Sequence, residues 1–174
     1  MTAAPFALDP LLAAVRARST GIGSQIHGER HWRTVGANGL WLAESVPEAD
    51  TRVVLLFALL HDTMRLNDAR DPEHGPRAAA FAVALQDEGL LAVSRVQLDL
   101  LHHACFEHAD GTVSDDPTVG VCWDADRLDL PRVGIIPTPE LLSTRAARDG
   151  GHPTGEPPAW HELYDAHAGA HRLR

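Results

Sequence analysis

Apolar residues along this chain recur at helical spacing, and convincing strand alternation is missing. The pattern predicts helices near 10–18, 28–45, 50–64, 73–88, 94–109, 117–128 and 139–147, with a last one near 158–168. Asp9-Pro10, Asp116-Pro117 and Thr138-Pro139 each put a capping side chain before a proline suited to the first helical turn. Ser94 with Gln97 fits a capping box. The run 53–60 has the composition of a buried strand, but its continuation through Met64 favours a helix by length. Being apolar all round, that helix should run through the core. The expectation is an all-α, compact single-domain helical bundle of about six to eight helices. It divides into an N-terminal helix and lead-in (1–26), a core (27–148), and a Gly/Pro loop with a C-terminal tail packing on the same domain (149–174).

Composition narrows the class. At 174 residues and 44% apolar, the chain can bury a core without staples. No apolar run approaches the ~20 residues needed to cross a bilayer, and the start of the chain lacks the pattern of a signal peptide. Cys105 and Cys122 stand apart, as is ordinary in a reducing cytoplasm, so a cytoplasmic location is expected. Acidic residues number 24 against 15 basic ones, all arginine, for a net charge of −9. That excess opposes a nucleic-acid polymer or a membrane surface as partner. A small anionic substrate remains compatible, provided a metal and a few arginines reverse the local field.

Eleven histidines change the picture further, through where four clusters fall. The 53–62 segment delivers His61-Asp62 at the inner end of the apolar helix, where an unpartnered carboxylate would be very costly. A metal ion would satisfy both side chains; a hydrogen bond within the pair, or a helix end reaching solvent, explains them equally well. His27 and His31 are spaced i,i+4 and share a helix face. Leu101-His-His-Ala-Cys-Phe-Glu-His108 ends another predicted helix, and Cys122-Trp-Asp124-Ala-Asp126-Arg-Leu-Asp129 crowds three carboxylates.

From about His27 to Gly134 the sequence resembles the HD superfamily of metal-dependent phosphohydrolases. The ordered motif His … His-Asp … Asp appears as His31 in His-Trp-Arg-Thr-Val, as Leu-Leu-His61-Asp62, and as Asp124-Ala-Asp126-Arg-Leu-Asp129. The resemblance implies an HD-type bundle with 27–148 as its metal-binding core. It implies His31, His61, Asp62 and Asp126 as metal ligands, with Asp124 as the fallback for the last. His74, in His-Gly-Pro-Arg-Ala-Ala, and His108 match auxiliary histidines that bind a second metal or position phosphate. The chain lacks the Gly-Tyr-Pro of the cyclic-dinucleotide subgroup and is far shorter than the family's deoxynucleotide triphosphohydrolases, so neither activity is carried over.

Imidazole and carboxylate donors together suit Mn, Fe, Co, Ni or Zn, as one or two ions. The implied reaction is hydrolysis of a phosphate ester of a small molecule, a nucleotide or other phosphorylated metabolite, by metal-activated water. Arg65 and Arg127 are candidates to hold the phosphate by bidentate hydrogen bonds, and His108 is the candidate general acid. Arg77 is better read as a surface ion pair, and Trp32 and Trp123 as core or pocket wall. His102 and His103 cannot both face the cleft from one helix. A di-iron oxygenase on the same six ligands, with Asp62 bridging, is the alternative reaction; a non-catalytic metal- or nucleotide-binding module is the third. The sequence leaves the oligomeric state open, a homodimer included.

Overall fold

The computed structural model describes residues 7–110 and 113–171. Residues 1–6 and 172–174, at the outer ends of the first and third predicted segments, lie outside that range. The described residues form eight α-helices and no strand: α1 Leu8–Arg18, α2 Glu29–Ala43, α3 Thr51–Leu60, α4 His74–Asp87, α5 Arg95–Glu107, α6 Pro117–Arg127, α7 Arg145–Asp149 and α8 Trp160–His171. Among the described residues no helix is long and apolar enough to cross a membrane.

Helix α3 is the axis of the bundle. Every residue from Val53 to Leu60 is buried, and α2, α4, α5, α6 and α8 pack around it. One aspartate organises its start. The Asp50 carboxylate accepts from the amides of Arg52 and Val53 (3.0 and 3.2 Å) and from Gln97 Nε2 near the start of α5 (2.8 Å). The Asp50 amide donates to Thr118 Oγ1 at the start of α6 (3.0 Å). Three helices therefore begin at one knot and run the same way, so their C-terminal ends meet at the opposite end of the bundle. The predicted capping box of α5 forms between Ser94 and Gln97, and Asp116 caps α6.

Three local expectations are corrected. Asp9 caps nothing: α1 starts before it, without a side-chain cap, and Asp9 is a first-turn acid of the helix. Helix α3 ends at Leu60 rather than Met64. Thr63 folds back on Leu60 through its amide and its hydroxyl (3.1 and 2.7 Å), and its carbonyl accepts from Thr20 and Gly21 amides, both at 3.0 Å. The 139–147 stretch is a 3₁₀ turn, Pro139–Leu141, followed by an extended link and the short helix α7, capped by Thr144 and not Thr138. The Ser143 and Thr144 amides donate to the Asp124 carboxylate at 2.8 and 2.6 Å, which removes them from any continuous helix.

Two close approaches set helix spacing. A Cβ on Gly75, at the start of α4, would stand 2.7 Å from the backbone oxygens of both Cys105 and Phe106 on α5. One on Gly21 would stand 2.7 Å from the Asp62 oxygen. Helix α8 packs the C-terminal segment onto the same core through Trp160, Leu163 and Tyr164, all buried.

Candidate metal centre

The end of the bundle where α3, α5 and α6 finish collects a buried set of nitrogen and oxygen donors. His61 follows the last residue of α3, His108 follows α5, and Asp126 lies in the last turn of α6. His31 and His74 come from the first turns of α2 and α4. Three helix C-termini aimed at one place bring partial negative charge, which favours a cation there.

Two trios share Asp62. In the first, His31 Nε2 and His61 Nε2 are 3.1 Å apart, and Asp62 Oδ2 stands 3.6 and 3.7 Å from them. Asp126 Oδ1 joins this group, 3.2 Å from His31 Nε2 and 3.7 Å from His61 Nε2. In the second, His74 Nε2 and His108 Nε2 are 2.9 Å apart, with Asp62 Oδ1 at 3.3 and 3.6 Å. The four histidines and Asp62 are all buried. Atoms of this kind at these spacings can hold a metal ion.

The outer ring nitrogens decide what the inner ones offer. His31 Nδ1 faces Asp129 Oδ2 at 2.7 Å. His61 Nδ1 faces the carbonyls of Phe57 and Ala58 (3.2 and 3.3 Å), His74 Nδ1 that of Asp71 (2.5 Å), and His108 Nδ1 that of Cys105 (2.7 Å). A carbonyl or carboxylate only accepts, so each Nδ1 carries the proton and donates it. Each Nε2 then presents a lone pair inward, the tautomer of a metal-ligating imidazole whose other nitrogen is hydrogen-bonded. Two lone pairs face each other at 3.1 Å and two more at 2.9 Å, a repulsion that only a proton or a cation between them can relieve. Asp62 Oδ1 is buried and accepts no hydrogen bond, and a guanidinium nitrogen of Arg65 stands 3.5 Å from it.

Without a metal, the proton takes that place. Burial pushes the His61 imidazole down to about 3, and burial, then the neighbouring His108, lowers His74. Burial also opposes charge on His31 and His108, but hydrogen bonds to Asp126 and Asp129 raise the first and the Asp62 carboxylate raises the second. Each facing pair thus has one imidazole that gains a proton readily and one that refuses it. Burial would raise the Asp62 and Asp126 carboxyls, yet the surrounding imidazoles hold both well below the ordinary carboxylate range.

Compared with known proteins, the chain finds no significant match. Neither a family model, nor a curated protein, nor a solved structure corresponds to it.

A cavity of about 430 Å³ opens onto this centre. Its polar side comprises His27, Asp62, His74, His108, Asp126 and three arginines, Arg65, Arg127 and Arg132; Leu130, Ile135, Ile136, Pro137 and Leu141 form an apolar side. Ile136 is 84% exposed, so that side is a rim rather than core. Arg127 donates from Nη1 to the Leu141 carbonyl at 2.6 Å and lies over Trp123. Arg77 pairs with Asp71, as expected of it. Trp32 and Trp123 are buried and spend their ring N–H groups on the His27 and Ala104 carbonyls. His102 stacks on Phe106, His103 lies tilted against Trp123, and neither lines the cavity. Asp124 is fully buried and holds the 143–144 backbone; of the other two carboxylates of its cluster, Asp126 faces the inward Nε2 atoms and Asp129 the outer nitrogen of His31.

Asp129, Arg132 and the contact of His27 Nδ1 with Asp62 Oδ2 at 2.8 Å belong to the site without having been expected there. A signal for Asp129 was present: it follows Asp126 by one helical turn, within reach of the same histidine.

Proposed function

We propose that this chain is a metal-dependent phosphohydrolase of the HD type, acting on a phosphate ester of a small molecule. The observation that supports the reading best is the facing imidazoles of His31 and His61, 3.1 Å apart, with an oxygen of Asp62 and one of Asp126 beside them: two inward lone pairs between two carboxylates. His31, His61, Asp62 and Asp126 would hold a divalent transition metal, a donor set that suits Mn, Fe, Co, Ni or Zn. Such an ion would bring the pKa of a bound water toward neutrality and take up charge on the phosphoryl oxygens.

The chain's own residues supply the rest. A phosphate must enter against a net charge of −9, and Arg127 and Arg132 offer guanidinium groups at the cavity wall to hold it. The apolar rim from Leu130 to Leu141 receives the body of the ester and keeps water from it. His108 Nε2, at the cavity, is the atom from which a proton passes to the leaving oxygen. A second reading, oxygen activation at two irons, is favoured by Asp62 presenting one oxygen to each trio.

The test is a panel of phosphate esters with protein purified without a histidine tag and loaded with each metal in turn. Phosphate release by wild type, lost together with stoichiometric metal in Asp62→Ala, is the expected result. Bound metal without release from any ester overturns the hydrolase; iron with oxygen uptake then establishes the second reading.

A further inference from the structure

Arg65 stands where a second ion would have to go. Its Nη1 lies 3.1 Å from His74 Nε2, in hydrogen-bonding geometry, and 3.5 Å from Asp62 Oδ1. Those are the spacings the second trio's own atoms keep among themselves, 2.9 to 3.6 Å. Nη1 is therefore a member of the cluster by position. By chemistry it cannot be a ligand, because a guanidinium has donors and no lone pair.

The group is also held there. Nη2 donates to the Ala69 carbonyl at 2.9 Å and Nε to the Asn67 carbonyl at 3.4 Å, both within the loop that joins α3 to α4. These two contacts aim the third nitrogen inward, and the side chain is only 11% exposed. The first trio holds no guanidinium among the described contacts: its inward atoms meet each other, Asp126 and, at Asp62 Oδ2, the His27 ring nitrogen.

We infer that Arg65 is a built-in second cation: it fills the His74/His108/Asp62 position, so the protein binds one metal, at His31, His61, Asp62 and Asp126. The inference rests on the metal-binding reading above and fixes its stoichiometry. A second ion would have to expel the guanidinium or sit beside a like charge at contact distance, a severe penalty away from bulk water. With Arg65 in place His74 is a hydrogen-bond acceptor and His108 is free to carry a proton. Both are roles that coordination would deny them.

Metal stoichiometry tests this without reference to turnover. Wild type and Arg65→Met are dialysed against manganese and counted by elemental analysis, with electron paramagnetic resonance reporting spin-coupled pairs. The expected result is one manganese per wild-type chain with an uncoupled signal. Arg65→Met should hold two, coupled through Asp62, the second binding on the order of tenfold or more tighter than any second event in wild type. Two ions of similar affinity in wild type overturn the inference while leaving the metal site standing, as does a folded Arg65→Met that stays at one. If Arg65→Met does not fold, Arg65→Gln takes its place, and the wild-type count decides independently of either. No binding by any of them removes the metal reading and this inference with it.

Discussion

Asp129 holds His31 from behind, its Oδ2 2.7 Å from the ring nitrogen that faces away from the cluster. A carboxylate in that position fixes the ring's orientation and raises the basicity of the nitrogen opposite. Asp129→Ala should weaken metal binding by roughly 10- to 100-fold, the usual effect of losing such a partner, while stoichiometry at saturation stays the same. Calorimetric titration with manganese or zinc reads the change. An unaltered dissociation constant would show that His31 needs no help from Asp129.

Asp124 and Asp126 are two residues apart and take opposite jobs. Asp124→Asn replaces one of two acceptors with a donor aimed at a backbone N–H, of Ser143 or of Thr144. The expected cost is about 1–3 kcal/mol, seen as a fall in Tm of roughly 2–9 °C for a domain of this size, with full metal content retained. Loss of the metal from a folded Asp124→Asn would reassign the ligand.

Cys105 and Cys122 are both completely buried, and burial pushes both thiols up. At pH 8 a thiol reagent should label the native protein on the order of 10³-fold more slowly than the urea-unfolded chain, since reaction requires opening against several kcal/mol. Fast labelling of either cysteine would reveal local opening where α5 meets α6.

The helices were legible in the sequence wherever local chemistry decides them. Asp116-Pro117 and Ser94 with Gln97 mark real starts because each cap is satisfied within its own first turn. Asp9-Pro10 and Thr138-Pro139 carry the same letters and fail, one because the helix begins earlier, the other because Asp124 claims the amides five and six residues on. The end of α3 was hidden for a related reason. Nothing in His61 to Met64 breaks a helix by its letters, but the segment 19–21 takes the Thr63 carbonyl, and no periodicity reports a bond to a distant segment. The inward set His31, His61, Asp62, His74, His108 and Asp126 came from matching motifs in order, and the structure brings all six to one place. What motif order could not convey was direction. Arg65, expected to hold the phosphate, lines the cavity and also points at His74 and Asp62.

The clearance at Gly75 bears on this geometry in a way its position outside the cluster conceals. His74 and His108 lie at the facing ends of α4 and α5, and Gly75 is the residue beside His74 where the two backbones nearly touch. The absent methyl works as a gauge block. It sets the separation of the two helix ends, and through them the 2.9 Å between two imidazoles, without itself meeting either ring. A side chain there would act as a wedge, prising the second trio apart at its hinge while the first, anchored on α2, α3 and α6, kept its shape. The reach of a histidine is thus governed by a carbon atom that is not there.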